Sequence, residues 1–255
     1  MRDIIAITKK ELKVFLYSPI AYIITAFFLI VSGFFFYNIL VWFSNQSVRL
    51  ARNPYYASQL NINKMVYEPF FSNLTIILIF LIPLLTMKLI ADEKKMKTDE
   101  LLLTSPLKIS SIIIGKYLAA LIIYTIILLF TATYSIFTFT YGKPELIPVL
   151  TAYLGLFLIG AVFIAIGVFA SSLTENQIVA AIISFSTLLI IWVISWLSES
   201  VGPQWGAVFS YLSFFTHFQN LIKGVIDTKD LVYYFSFIFF SLYLTYTIFE
   251  FRKWR

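Results

Sequence analysis

The sequence contains no cysteine, a single histidine (His217) and few charged residues, which make up 13% of its 255 positions. Without cysteine, disulfides, thiolate chemistry and cysteine-ligated metals are excluded. One histidine cannot form a histidine cluster around a metal. The net charge of +6 is typical of basic loops in a membrane protein, so we expect no nucleic acid partner.

Apolar residues dominate what remains, at 60% of the chain, and the mean hydropathy is +0.88. A helix needs about 20 apolar residues to cross a hydrocarbon layer about 30 Å thick. Six runs of about this length are free of Asp, Glu, Lys, Arg and His, and they cover 19–43, 69–87, 117–141, 146–170, 177–197 and 231–249. The sequence therefore predicts an all-α polytopic membrane protein, one domain over 1–255 with six transmembrane helices and no separate catalytic domain.

The distribution of basic residues predicts the orientation. With the N-terminus inside, 13 of the 19 Lys and Arg residues lie on the cytoplasmic side. The positive-inside rule then places both termini in the cytoplasm of a multi-pass protein of the cell membrane. The loop 44–68 fits least well, because it carries three of the outer basic residues.

The segment 1–18 before the first run has the pattern of an amphipathic helix. At about 100° per residue, its apolar residues share one face, namely Ile4, Ile5, Ile7, Leu12, Val14, Phe15 and Leu16. We predict a helix in the membrane interface that binds lipid headgroups, with Lys9, Lys10, Glu11, Lys13 and Phe15 as its site residues. Glu11 intrudes on the apolar arc and therefore needs a partner, either a lysine or another protein. The alternative is an ordinary flank that only orients the first span.

The loop 198–230 between the last two runs contains a second interrupted apolar segment, 205–224. Its spacing favours an interfacial or re-entrant helix on the outer side over a seventh span. His217 falls on the polar face of this helix, where we expect it to be solvated or hydrogen-bonded.

Several functional classes are excluded by what the spans and loops lack. Ion-coupled carriers need ionisable groups inside the membrane, and the six runs contain none. The dipeptide Gly115-Lys116 is not part of a phosphate-binding loop, because Ser110 and Tyr117 occupy positions that require glycine and Ser or Thr. We expect no enzymatic activity in this chain.

The densest charge lies in "ADEKKMKTDELLLTSP", residues 91–106, between the second and third runs. Asp99 and Glu100 suit a helix N-terminus, and Pro106 ends the segment. The three leucines between them lie outside the bilayer, which favours docking into a groove on another protein. The alternative is a solvated loop that only fixes topology.

This region resembles the ABC-2 type permeases, a family of ABC transporter membrane subunits. The residues that match the family pattern are Glu93, Thr98, Glu100, Leu101, Leu102, Leu103, Thr104, Pro106, Gly115, Lys116 and Tyr117. "FASSLTENQIVAA", 169–181, is a second match. The subgroup with the gliding-motility permease GldF and the NosY-like permeases is most similar. Lys97 stands where the family has glycine and Asp99 where it has an aliphatic residue, so we expect a different local backbone.

The resemblance implies the permease subunit of an ABC exporter with a coupling helix between spans two and three, in the segment 92–108. The implied ATPase-coupling residues are Glu93, Lys94, Lys95, Lys97, Thr98, Asp99, Glu100, Leu101, Leu102, Leu103, Thr104 and Pro106. The implied partners are a second permease, as a homo- or heterodimer, and separate ATPase subunits that bind ATP and Mg. The chain itself would hold no cofactor. Two alternatives remain: ATP-driven mechanical transmission to outer partners without solute transport, and a non-transporting membrane scaffold.

Overall fold

The computed structural model describes residues 2–50, 60–99, 107–200 and 202–253, and the described residues form helices and connecting turns without strands. Within these ranges ten α-helices follow one another: α1 Arg2–Tyr17, α2 Pro19–Leu50, α3 Glu68–Thr86, α4 Lys88–Lys95, α5 Ile109–Tyr141, α6 Leu146–Leu173, α7 Gln177–Ser200, α8 Pro203–Leu212, α9 Phe214–Ile222 and α10 Thr228–Lys253. A π-helical turn, Asn63–Tyr67, leads into α3.

Six stretches among the described residues are long and apolar enough to cross a membrane. They are α2, the continuous stretch from the π-helical turn through α4, and α5, α6, α7 and α10. The predicted all-α architecture with six spans is confirmed.

Helix α6 is the centre of the bundle. It contacts α3, α5, α7, α9 and α10, and 78% of its most apolar window is buried, against 22% in α2, α7 and α10. Its glycines allow this packing, because a Cβ on Gly160 would lie 2.2 Å from the Tyr124 ring and one on Gly167 would lie 2.1 Å from Thr86 Oγ1. The small residues of α6 therefore form a surface of close helix packing.

Because successive spans run in opposite directions, their ends and connections gather at two ends of the bundle. At one, which we call the basic end, α1, α4, the start of α5, the α6–α7 turn and the end of α10 come together. At the other, the far end, lie the π-helical turn, the α5–α6 turn, α8, α9 and the start of α10. The segment expected to form one helix at 205–224 is two helices, α8 and α9, separated at Ser213.

Candidate functional site

The N-terminal helix α1 packs along the start of α5. Thr8 is buried and donates a hydrogen bond of 3.2 Å to the carbonyl oxygen of Gly115. A Cβ on Gly115 would lie 2.7 Å from Ile7 Cγ2, so only glycine allows the two helices to approach this closely. The buried side of α1 therefore includes polar residues, while Ile5 and Val14 of the predicted apolar face are exposed.

A buried lysine at the start of α5 joins α1 to α4. Lys116 Nζ lies 3.0 Å from Glu11 Oε1 and 2.8 Å from Glu93 Oε1, and it donates a hydrogen bond of 2.7 Å to the Leu89 carbonyl. Lys10 Nζ contacts the same two oxygens, at 3.5 Å from Glu11 and 3.2 Å from Glu93. Two lysines and two glutamates thus alternate in an electrically neutral group, which we call the lysine–glutamate square.

Burial keeps the side chains of the lysine–glutamate square in contact. Removing a charge from water costs several kcal/mol per ion, and that cost is offset only while the opposite charges remain in contact. Lys116 is 1% exposed and Glu11 is 6% exposed, so neither can turn to solvent without moving its helix. Burial alone would lower the pKa of Lys10, but the attraction of Glu93 and Glu11 outweighs this and raises that pKa.

A serine on α6 fixes the start of α4. Ser171 Oγ accepts hydrogen bonds from the backbone N–H groups of Ile90, at 3.1 Å, and Ala91, at 3.0 Å. The same hydroxyl donates to the carbonyl of Met87, at 2.9 Å, where the chain passes from α3 into α4. N–H groups in the first turn of a helix lack intrahelical partners, so Ser171 supplies a cap from a neighbouring helix.

The other side of α4 is bound to the α6–α7 turn. Lys94 Nζ donates to the Ser172 carbonyl, and Gln177 Nε2 donates to Asp92 Oδ1. Both partners lie within the "FASSLTENQIVAA" stretch that the sequence comparison singled out. The two regions that resemble the ABC-2 family are therefore in direct contact.

Arg252, near the end of α10, completes the network. One guanidinium nitrogen lies 3.3 Å from Asp99 Oδ2 and the other lies 3.3 Å from Glu175 Oε1. Asp99 is 1% exposed, and within the described part of the chain neither of its oxygens meets hydrogen-bond geometry. The residue that departs from the family pattern is thus a buried carboxylate whose counterion comes from the last helix.

Lys97 adopts a backbone conformation that is usually reserved for glycine. Its φ is +55°, the one positive value among non-glycine residues in the described ranges. The left-handed region costs a residue with a side chain about 1–2 kcal/mol. A turn of the kind that glycine allows therefore forms here without glycine, at the cost of local strain.

The remaining predicted residues divide between described and undescribed parts of the chain. Lys95 and Lys97 are exposed, and Thr98 Oγ1 donates to the Glu93 carbonyl at 3.3 Å. On α1, Lys9 and Lys13 are exposed and Phe15 is partly buried. The coupling residues that lie outside the described ranges are Glu100, Leu101, Leu102, Leu103, Thr104 and Pro106.

The far end contains a buried histidine–aspartate pair. His217 Nδ1 lies 2.6 Å from Asp230 Oδ1, and Asn220 Nδ2 donates to Asp230 Oδ2 at 3.1 Å. His217 Nε2 lies 2.9 Å from the Tyr211 carbonyl, and its ring stacks on Tyr233 with centroids 4.0 Å apart. The expected hydrogen bonding of His217 is found, but its expected solvation is wrong, because aromatic rings of α10 cover it.

Sequence reasoning did not assign these roles to Lys116, Arg252, Ser171 and Gln177, although Lys116 was part of the matched pattern. Lys116 had one usable signal, since a charge bordering a long apolar run requires a partner. Arg252 counted only toward membrane orientation. Ser171 and Gln177 lay in a recognised motif whose contacts could not be read from the sequence.

A family model described as ABC-2 family transporter protein matches residues 5–251 of the chain. A search of curated proteins finds none that matches the chain.

Proposed function

The chain belongs to the ABC-2 family of transporter proteins and is therefore an ABC transporter permease, and we propose that its segment 92–108 receives force from a separate ATPase subunit. The proposed transport direction is outward, and the proposed relatives are the GldF and NosY-like permeases. Membrane subunits of the ABC-2 family are generally non-catalytic. ATP and Mg would bind to the partner, and this chain would hold no cofactor.

One observation carries the proposal: Glu93, inside the proposed coupling segment, shares Lys116 with Glu11 of α1. A push on this segment therefore acts at once on α1 and on the start of the third span. The same segment is also fastened to α6, where Lys94 donates to the Ser172 carbonyl, and to α10, where Arg252 pairs with Asp99. A segment joined to so many elements is suited to converting a local displacement into a rearrangement of the bundle.

The contact surface offered to the ATPase would include exposed Lys95, Met96 and Lys97, with Met96 65% exposed. The residues 101–103, three leucines in sequence, would enter a groove on the partner, the mode in which short helices bind proteins. Lys97 would supply specificity, because its charge stands where the family has glycine.

Docking is tested by purifying the tagged chain from its host membranes and measuring the bound ABC ATPase by mass spectrometry and ATP hydrolysis. We expect Leu102→Asp and Glu100→Lys each to lower the recovered ATPase at least tenfold, on the order of 1.4 kcal/mol or more. Lys143→Gln, at the far end, is the control and should retain it. Full ATPase recovery with both coupling-segment variants would overturn the assignment.

Both termini would lie in the cytoplasm, with the basic end facing it. The natural absence of cysteine makes this directly measurable. In intact cells a membrane-impermeant maleimide should label Lys229→Cys, which replaces a side chain that is 78% exposed at the far end. It should leave Lys95→Cys unlabelled until the cells are opened. The reverse labelling would invert the topology.

A second permease would complete the transporter. Its proposed contact surface on this chain consists of span one (α2), span two and span five (α7). The apolar windows of α2 and α7 are only 22% buried within this chain. Two differently tagged copies of the chain that co-purify would indicate a homodimer. Recovery of a different ABC-2 permease with one tagged copy would indicate a heterodimer.

A further inference from the structure

A cavity at the basic end has the polarity of a membrane lipid. Its volume is about 360 Å³, and it lies between α1, the start of α2, and the α3–α4 junction. Cavities of about 300–1,000 Å³ are typical small-molecule sites in proteins. One set of lining residues is apolar: Val14, Phe15, Ile20, Ala21, Ile24, Leu84, Leu85 and Leu89. A second set is charged: Lys10, Glu11, Lys88, Asp92, Glu93 and Lys116, and Ser18, Met96 and Thr98 complete the lining.

The two sets are ordered along the membrane axis. Ile20 and Ile24 follow Ser18 into span one, and Leu84 lies one turn deeper in span two than Lys88. The charged side therefore lies at the basic end and the apolar side extends into the spans. A phospholipid in the leaflet at the basic end has its headgroup and chains in the same order.

The charges select among headgroups. The cavity lining has three lysines and three acidic residues, so it is neutral overall. The lysine–glutamate square pairs two of each with one another. Lys88 and Asp92 remain: Asp92 is bound by the neutral amide of Gln177, and Lys88 has no ion-pair partner within the described ranges.

Lys88 and Asp92 are separated by one helical turn, about 6 Å along α4. Both line the cavity, and no salt bridge joins them in the described part of the chain. A group with a negative phosphate and a positive ammonium a few atoms apart would satisfy both at once. A purely anionic headgroup would satisfy Lys88 and be repelled by Asp92.

We propose that this cavity binds a zwitterionic phospholipid with a primary ammonium group, as in phosphatidylethanolamine. The phosphate contacts Lys88, the ammonium donates to Asp92, and one acyl chain occupies the apolar side beside Ala21. The lipid wedges α1 against spans one and two next to the lysine–glutamate square. The cavity adjoins the proposed coupling segment, but lipid binding to the purified chain and recovery of the ATPase are separate measurements, so either proposal can fail alone.

The test measures binding of short-chain phosphatidylethanolamine, phosphatidylglycerol and diacylglycerol to the purified full chain by native mass spectrometry. Phosphatidylethanolamine should bind most tightly. Lys88→Gln should weaken its binding about fivefold, the equivalent of about 1 kcal/mol for a lysine near a headgroup. Lys95→Gln is the matched control, because it removes an exposed lysine from the same helix outside the cavity. Asp92→Asn keeps an oxygen for Gln177 and should shift preference toward phosphatidylglycerol.

A second pair of variants tests the apolar side without changing charge. Ala21→Phe fills the cavity and should weaken phosphatidylethanolamine binding by more than fivefold. Ala26→Phe, at an exposed position of the same helix, should not. Equal affinities for Lys88→Gln and Lys95→Gln would overturn headgroup recognition. Equal affinities for the two phenylalanine variants would overturn the location, and equal binding of all three lipids would overturn the selectivity.

Discussion

At each end of the bundle a buried carboxylate contacts a basic or histidine side chain, but the partners are separated by very different distances in the chain. At the basic end, the buried Lys116 and Glu11 are separated by 105 positions, and Arg252 also pairs with the exposed Glu175, 77 positions away. At the far end, His217 and Asp230 are separated by only 13. Pairs between distant helices couple the motions of those helices, whereas a pair between neighbours only fastens one hairpin.

The lysine–glutamate square at the basic end and the His217–Asp230 pair at the far end also differ in their surroundings. The His217–Asp230 pair is enclosed by aromatic residues, and Tyr233 and Tyr234 donate to the carbonyls of Leu212 and Phe214 at the α8–α9 break. At the basic end, the segment after α4 leaves Met96 and Lys97 exposed. The far end is thus closed over its histidine–aspartate pair, while the basic end presents a surface for a partner.

The largest expected effect is loss of the lysine at the centre of the square. Lys116→Met leaves Glu11 and Glu93 buried with only Lys10 beside them, and breaking a buried ion pair costs about 3–5 kcal/mol. We expect the free energy of unfolding in detergent to fall by about this amount. Lys108→Met, an exposed lysine just before α5, is the control and should change it little.

A variant cycle separates the loss of a charge from the loss of packing. Lys116→Met combined with Glu11→Gln and Glu93→Gln removes the uncompensated acids and should recover much of the lost stability. Equal stability of Lys116→Met and Lys108→Met would contradict the proposed long-range coupling at the basic end.

A smaller and more local effect is expected at the far end. Asp230→Asn replaces a carboxylate that contacts both His217 and Asn220 with a neutral amide, so the hydrogen bonds lose their charged acceptor at a cost of about 1–3 kcal/mol. Hydrogen exchange should accelerate in α8 and α9 and remain unchanged in α3 and α6.

The control for this variant is three residues away. Asp227 accepts from the Lys229 N–H at 3.0 Å at the start of α10, and asparagine fills such a capping position about as well. Asp227→Asn should therefore leave exchange unchanged. Faster exchange throughout the bundle in Asp230→Asn would show that the far-end pair is not local.

The smallest expected effect is a gain. Lys97→Gly relieves a left-handed backbone conformation that costs the folded state about 1–2 kcal/mol. The greater freedom of glycine in the unfolded chain offsets about 0.5–1 kcal/mol of this gain in stability. Thermal unfolding should show stabilisation of about 0.5–1 kcal/mol. The same substitution at Lys9, an exposed residue inside α1, should destabilise by about 1 kcal/mol. Destabilisation by Lys97→Gly would show that its side chain makes a contact that outweighs the strain.

Some features of the basic end could be predicted from the sequence and others could not. The amphipathic pattern of α1 indicated a helix, and the charge of Glu11 within it required a partner. The identity of that partner could not be predicted, because Lys116 is more than a hundred positions away and the sequence offers many other lysines. The sequence predicted that Asp99 begins a helix. It did not indicate that the counterion of Asp99 is the distant Arg252.

The sequence by itself determined that this protein is helical and membrane-spanning, because apolar runs of bilayer length have no other stable arrangement in lipid. It also determined where charge could lie, since the runs exclude it. Only the tertiary structure decided which charges meet. Burial makes each charge dependent on a partner, and chain topology alone brings Lys116 to both Glu11 and Glu93.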